Sequence, residues 1–400
     1  MRLNILMITR EYPPFTVGGV AIHTYHLVKH LRKKGVKVTV VSFGDPSKSD
    51  EDTIFVKPES SIISRENKSI LEDAKIPIDI ARLTKKIKIL LEKNNYDLIH
   101  VQEPYVAGHI PYNDRKITTI HDTSFGEIRG IIRSGLEPHN LKRTIFFIAM
   151  GYPMEFMSIV TSKYIIAPSR DVGYELLKIY RVPRRKLRII YNGVEEPSPD
   201  EPNKSEARKI LGIPEDKILV FTTAQHVARK RLELLIDATK ILADRNINNI
   251  IIAIGGKGPL TQSLKERAYS LGVEDKIVFL GWIDRETLTL YYNAADIFVV
   301  TSDYEAGPIT LLEAGIRRKT LISSRIGGFA SMLREGIDVL LFEPGNPHDL
   351  AEKLIQAISD EDLRARLGRN AARFASRFTW SKVAEETIKL YKECIGGAGK

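Results

Sequence analysis

What most constrains this chain is an alternation that recurs along nearly its whole length: a short, largely β-branched apolar run, a turn, then a segment with helical spacing. In the first half the runs are Asn4–Ile8, Lys37–Phe43, Asp97–Val101, Lys116–His121, Tyr164–Ser169 and Leu187–Tyr191. A second series comprises Lys217–Ala224, Ile250–Gly255, Lys276–Gly281, Asp296–Ser302, Thr320–Ser324 and Val339–Glu343. Runs without polar alternation read as strands buried on both faces, which means parallel sheets. The intervening Val20–Lys34, Ala81–Lys93, Leu232–Arg245, Leu260–Leu271 and Asp284–Ala294 carry the 3.6-residue period of helices. Two sets of six strands predict two doubly wound α/β domains. The acidic, proline-rich Glu195–Pro202 separates them, and after Asn346 only helical segments remain: Pro347–Ile358, Asp360–Arg377 and Trp380–Cys394. The expected division is 1–195, a linker 196–204, 205–378, and a last helix, 379–395, that returns to the first domain.

Composition narrows the class. Apolar residues at 43% and charged residues at 28% exclude disordered, collagen-like and multi-span membrane chains. The single cysteine, Cys394, leaves no internal disulfide and no cysteine cluster for zinc, so a reducing, cytoplasmic location is expected. The amino-terminal apolar run is too short for a secretory signal. Thr144–Val160, interrupted by Pro153 and Glu155, falls short of the ~20 residues that span a bilayer, so no transmembrane helix is expected. A net charge of +10 favours anionic partners: phosphates, nucleotides, acidic lipid or nucleic acid. Glutamine occurs only at 102, 225, 262 and 356 while Ile, Lys, Arg and Glu abound, a balance that leans toward a heat-adapted source.

Two such sheets joined by one linker predict a cleft walled by the loops that follow the strands. The chemically unusual residues gather in those loops. After the first strand come Gly18 and Gly19 at a helix start, where backbone N–H groups favour a diphosphate; a turn needing positive φ reads the same two residues equally well. His121 ends a strand, able to bond a substrate hydroxyl or manage a proton, with Asp122 to set its tautomer. His23, His26, His100 and His109 close no ligand set. Gln225 precedes a cationic run, Arg229, Lys230 and Arg231, that suits a departing diphosphate or a solvated basic face. Gly256 lies in a Gly-rich loop without the spacing of a P-loop, lining a base or phosphate pocket or making a plain turn. Glu305 and Glu313 bracket Gly307, Pro308 and Ile309; carboxylates so placed accept hydrogen bonds from vicinal hydroxyls, although Glu313 could equally pair with Arg317 four residues on.

Taken together, Glu11-Tyr12-Pro13-Pro14 with Gly18-Gly19, Asp97-Leu98-Ile99-His100, His121-Asp122, Pro168-Ser169, Ile190-Tyr191-Asn192-Gly193-Val194, Lys230, and Glu305 to Glu313 followed by Gly327-Gly328 resemble the retaining, nucleotide-sugar-dependent glycosyltransferases of family 4. The likeness spans nearly the whole chain. It implies the GT-B fold, two Rossmann-like domains facing across a cleft, and metal-independent hexosyl transfer from a UDP- or GDP-sugar to a glycan, lipid or small-molecule hydroxyl with retention at the anomeric carbon. It implies no cofactor beyond the nucleotide sugar and no bound metal. By the same resemblance Gly19 lies under the diphosphate and Lys230 neutralises it. His121 meets the donor sugar, Glu305 its hydroxyls, Glu313 the ribose, and the backbone around Gly307, Pro308 and Ile309 the sugar or phosphate. Asp50-Glu51-Asp52 spells an acidic metal-binding motif but lies in a polar run.

Departures from the family pattern concern the donor side. Ala224-Gln225 stands where relatives carry Gly-Arg, which leaves Arg229 or Arg231 to supply the second cation, and Arg317-Arg318-Lys319, Ser331 and Val339 are also unusual. The missing arginine motivates an alternative, a catalytically weak sugar-nucleotide-binding partner protein. Nucleic acid is not expected as a partner, because the basic residues lack aromatic platforms. Arg129, Arg133, Lys142 and Arg143 mingle with Ile131, Ile132, Leu136, Ile145, Phe146 and Phe147, a surface suited to acidic lipid at the inner membrane face or to a buried amphipathic helix with solvated cations.

Overall fold

The computed structural model describes residues 3–15, 18–60, 75–111, 113–134, 141 and 144–396, the side chains of 133 and 134 excepted. It consists of two compact units. Unit 1 comprises Met1–Ile128, Leu141–Gly193 and Trp380–Lys400; unit 2 comprises Arg129–Asn140 and Val194–Thr379. Leu136, Lys142 and Arg143, and the Arg133 side chain, lie outside the described residues.

Among its described residues unit 1 holds seven parallel strands: β1 (Asn4–Ile8), β2 (Lys37–Phe43), β3 (Thr53–Val56), β4 (Leu98–Val101), β5 (Asn113–Thr119), β6 (Ser162–Ala167) and β7 (Leu187–Ile189). Their order is β3-β2-β1-β4-β5-β6-β7, with Leu6 opposite both Thr39 and Ile99. The chain starts in the middle, winds out to β3, and crosses back to β4 on the other side of β1. The reversal point is therefore between β1 and β4. One strand exceeds the six expected: β3 is four residues long, follows the polar Asp50-Glu51-Asp52 and buries only Thr53 and Phe55, too little pattern to announce a strand.

Unit 2 repeats the plan with β8 (Ile218–Thr223), β9 (Ile250–Gly255), β10 (Ile277–Gly281), β11 (Ile297–Val300), β12 (Thr320–Ser324) and β13 (Leu340–Phe342), in the order β10-β9-β8-β11-β12-β13. Here the reversal falls between β8 and β11. Val220, Ile252, Ile254, Ile297, Val299 and Ile322 from the strands meet Leu235, Leu242 and Leu350 from the helices in one dry core. Each such side chain contributes ~1.5–3 kcal/mol on leaving water.

Local signals fix the helices. Helix Gly19–Lys33 buries Ala21, Thr24, Leu27, Val28 and Leu31, one stripe at i, i+3, i+4 spacing, and the chain leaves it through Gly35 at φ +82°. Lys204–Leu211 opens with a capping box in which the Asn203 side chain accepts from Glu206 N–H and the Glu206 side chain from Asn203 N–H. Pro347–Ser359 has Asn346 as its cap and a proline in its first turn. The last helix, Trp380–Gly396, packs on Gly19–Lys33 within unit 1. Residues 144–161 form one helical run, 18 residues with mean hydropathy 1.4, long and apolar enough by composition to cross a membrane; about a third of it is buried. Pro153 does not interrupt it as the sequence suggested. A π-helical turn at Phe147–Gly151, in which Tyr152 N–H reaches Phe147 O, makes room for the proline ring.

Candidate functional site

In an open parallel sheet, ligands bind beyond the carboxyl ends of strands where the winding reverses. In unit 2 that place holds the loops after β8 and β11. The β8 loop ends in a tight turn, Ala228–Lys230, and the β11 loop runs alongside it: Asp303 N–H donates to Arg229 O at 2.8 Å, and Thr301 Oγ1 donates to Lys230 O at 2.6 Å. These bonds bring Lys230 Nζ to 2.5 Å from Glu305 Oε1, which also accepts from Ser302 Oγ at 2.6 Å. Burial pushes the Glu305 carboxyl up, but Lys230 and Arg229 outweigh it, and the net effect holds Glu305 below the ordinary carboxylate range.

The three cations are not equivalent. Arg231, in a left-handed backbone conformation, binds Glu233 Oε1 through Nε at 2.5 Å and Asp303 Oδ2 through Nη1 at 2.8 Å. Arg229 Nη1 lies 3.4 Å from Tyr304 O, and its charge acts on Glu305. Between the alternatives left open by the sequence, Arg231 is committed to two carboxylates, and Arg229 is the one whose charge acts on Glu305 beside that of Lys230.

Two glycines permit the surrounding backbones to close in. Gly256 has φ +111°, and a Cβ there would meet Ala224 O at 1.9 Å, so the β9 loop lies directly on the Ala224 backbone. Gly328, at φ +73°, would press a Cβ to 2.9 Å from Glu305 O and 3.3 Å from Gly307 N. Gln225 is exposed. Pro308, in extended conformation, precedes helix Ile309–Ile316, whose first turn has no acidic residue and no side-chain cap.

Glu313 has partners of its own. Its Oε1 accepts from Arg285 Nη1 and its Oε2 from Tyr292 OH at 2.9 Å. Burial first, then Glu313, raises the Tyr292 phenol well above its ordinary pKa, so it remains a donor. The Arg317 pairing suggested by the i, i+4 spacing is not formed. Arg317 Nη2 binds Glu201 Oε1 at 2.8 Å and touches only the Glu313 carbonyl, at 3.3 Å.

In unit 1 the reversal point lies beyond β1 and β4. Gly18 is extended (φ −148°) and Gly19 begins the helix, so neither needs the positive φ of a turn. Gly18 N–H donates to Glu11 Oε2 at 2.7 Å, while Glu11 Oε1 accepts from Arg10 Nη2 at 2.7 Å. A buried carboxylate thus takes the first N–H of the glycine loop, and the space beside Gly19 is open. His121, after β5, donates through Nε2–H to Gln102 Oε1 at 2.9 Å, leaving Nδ1 as its acceptor. Gln102 Nε2 is 3.2 Å from His100 Nε2, and His100 Nδ1 is 2.6 Å from Tyr391 OH on the last helix. His23 packs edge-on to His121 at 4.6 Å and bonds Asn192 Oδ1 through Nδ1 at 2.9 Å; His26 stacks on Trp380. Burial, reinforced by His100, lowers His121 to about 3, and burial lowers His100 to about 3 as well. Held neutral in this way, the imidazole is available as a hydrogen-bond partner. Gln102, not Asp122, is the partner seen to fix its tautomer.

The sequence reading missed Ser302, Arg285 and Tyr292 in unit 2, and Glu11, Gln102, His100, Asn192, Trp380 and Tyr391 in unit 1. Several of these lie in quoted motifs, which was the available signal. Asp50 and Asp52 bond locally, Asp52 N–H to Asp50 Oδ1 at 2.9 Å, and among the described residues no three His, Cys, Asp or Glu side chains gather to hold a metal ion.

Comparison with known proteins agrees with this layout. Residues 203–374 match the family model of glycosyl transferases group 1, and residues 17–196 match that of glycosyltransferase family 4. An uncharacterized glycosyltransferase of Methanocaldococcus jannaschii is 28% identical over 416 residues, covering all of both chains. A D-inositol 3-phosphate glycosyltransferase of Corynebacterium glutamicum is 25% identical over 394 residues, covering 94% of this chain and 92% of its own. Among solved structures, sucrose-phosphate synthase from Thermosynechococcus elongatus superposes with a TM-score of 0.79 at 20% identity, covering 99% of this chain and 100% of that one. The Anabaena protein HepE, in complex with UDP and glucose, gives 0.73 at 17% identity over 98% of this chain and 100% of its own. These likenesses establish the GT-B fold. With each unit matching its own half of the family's signature, the chain belongs to the family 4 glycosyltransferases.

Proposed function

We propose that this chain moves a hexosyl group from a nucleoside-diphosphate sugar, with UDP or GDP as carrier, to an acceptor hydroxyl with retention at the anomeric carbon, and without a metal ion. The observation that carries this reading is the Lys230–Glu305 pair with Arg229 beside it, at the reversal point of the unit 2 sheet. The two cations neutralise the diphosphate, and the uncapped start of Ile309–Ile316 adds its N–H groups. Glu305 accepts from sugar hydroxyls. Glu313, already held by Arg285 and Tyr292, presents what remains of its acceptor capacity to the ribose. In unit 1 the roles fall to Gly19 N–H, for phosphate, and to His121 Nδ1, which accepts from a sugar hydroxyl.

In the reaction the anomeric carbon–oxygen bond to the diphosphate breaks and the acceptor oxygen bonds the same face of that carbon. The acceptor proton passes to the departing phosphate oxygen, so no protein nucleophile is required. Fixed cations at the leaving group lower the barrier because charge grows there in the transition state. The enzyme acts in the cytoplasm on this reading, and the nucleotide sugar is its only co-substrate.

A panel of UDP-, GDP- and ADP-sugars tests the donor. At one hundred times its dissociation constant, the right donor stabilises by ~2.7 kcal/mol, a rise of roughly 5–11 °C in the melting of a unit this size. A panel in which no member shifts the melting sinks the reading.

A further inference from the structure

Helix 144–161 is inside out. The side turned into unit 1 carries Phe147, Gly151 and Ile159 but also Ser158 and Glu155. Glu155 accepts from Ser124 N–H and Ser124 Oγ, both at 2.8 Å, and from Tyr180 OH. The side turned to solvent carries Ile145, Ile148, Tyr152, Phe156, Met157 and Val160, between 42% and 60% exposed. Positions 145, 148, 152, 156 and 160 follow one helical stripe, with Met157 beside it. A contiguous apolar stripe in water marks a surface that meets something else.

Its neighbourhood says what. From Lys178 to Arg188 the chain carries six cations, at 178, 181, 184, 185, 186 and 188, and no acidic residue. This segment is tied to the end of the apolar helix, because Lys186 Nζ donates to Ser162 O at 2.9 Å and lies 3.4 and 3.5 Å from Ile159 O and Val160 O. Arg184 and Arg185 next to it are exposed. Of the apolar residues named from the sequence that lie on this helix, Phe147 is buried while Ile145 is exposed.

We propose that this face docks unit 1 on an anionic lipid surface, with the helix lying in the plane of the interface. Ile148, Tyr152, Phe156 and Val160 enter the acyl boundary and Arg184 and Arg185 meet the headgroup phosphates. The helix does not span, because its other face is bonded into unit 1 through Glu155. The docking stands independently of the donor assignment.

The full chain is sedimented with phosphatidylglycerol-containing vesicles and with pure phosphatidylcholine vesicles, at low and high salt. The expected result is selective, salt-weakened binding to the anionic vesicles. Binding falls roughly fivefold for each of Arg184→Ala and Arg185→Ala. It is also lost in an Ile148→Ser, Phe156→Ser variant whose circular dichroism and melting match the wild type, as exposed positions permit. Absence of binding to anionic vesicles overturns the proposal. So does equal binding to both vesicle types with the arginine variants unaffected, or a dimer in solution that Phe156→Ser dissociates.

Discussion

Replacing Lys230 by Met tests the centre of the unit 2 site, because the lysine and Glu305 side chains are only 14% and 11% exposed. Removing one partner of a buried pair costs ~3–5 kcal/mol, and the retained Ser302 bond and Arg229 charge place this case at the low end, about 3 kcal/mol. For a unit of ~200 residues that is roughly 6–12 °C of melting temperature. The loss also depends on pH. In the wild type the depressed Glu305 carboxyl contributes stability that is present above its unfolded-state pKa and lost as pH falls through its lower folded value. Without Lys230 burial gains the upper hand, so the ionised carboxyl becomes a liability at neutral pH that acid relieves. Melting of wild type, Lys230→Met, Glu305→Gln and the double variant, at pH 7 and pH 4.5, resolves the coupling. The expected pattern is a Lys230→Met deficit that shrinks at pH 4.5 and a double variant no worse than Lys230→Met alone. Calorimetry should show UDP or GDP binding weakened roughly ten- to hundredfold by Lys230→Met, the value of one charge-assisted bond, and nearly unchanged by Glu305→Gln. Additive losses that ignore pH would refute the coupled pair, and unchanged nucleotide affinity in Lys230→Met would refute its role as the phosphate cation.

Two further outcomes follow from the unit 1 geometry. With His121 and His100 lowered to about 3, neither imidazole titrates between pH 5 and 8, whereas Gln102→Glu places a carboxylate on His121 Nε2–H and raises its pKa; imidazole proton resonances that do not move in that variant would rule out the Gln102 contact. Burial raises the Glu155 carboxyl to about 7 despite its hydrogen bonds, so the folded chain holds its proton more tightly than the unfolded one and stability drops as pH climbs from ~4.5 to 7. Glu155→Gln keeps acceptors for Ser124 and should remove that slope, melting higher than wild type at pH 8 with little difference at pH 4; a parallel pH profile counts against the buried acid.

Strand runs such as Ile250–Gly255 and Lys37–Phe43 were legible because both faces are buried, leaving no polar residues to dilute the pattern. Thr53–Val56 was not, since an edge strand of four residues half in water leaves almost no imprint. Lys230 and Glu305 could be placed because each follows a strand, and loops after neighbouring parallel strands must emerge together. Glu313 shows the limit of that logic. Local spacing offered Arg317 as its partner, but Arg285 comes from the helix Arg285–Ala294, brought near only by the winding of the sheet. Likewise the motif that holds His100 did not reveal its partner, for Tyr391 stands 291 residues away and meets it only when helix Trp380–Gly396 docks.

That docking has a bearing on how the chain matures. Trp380 covers His23 and His26, and Tyr391 satisfies His100, so a helix made after unit 2 supplies what the earlier sheet lacks. During synthesis the histidine cluster waits, polar and unlidded, while nearly all of unit 2 leaves the ribosome as one continuous stretch, Val194–Thr379, able to close on itself. The order of translation is therefore reversed in the order of completion: the second unit can be finished before the first, and a chain stopped short of Trp380 would leave its amino-terminal half permanently open.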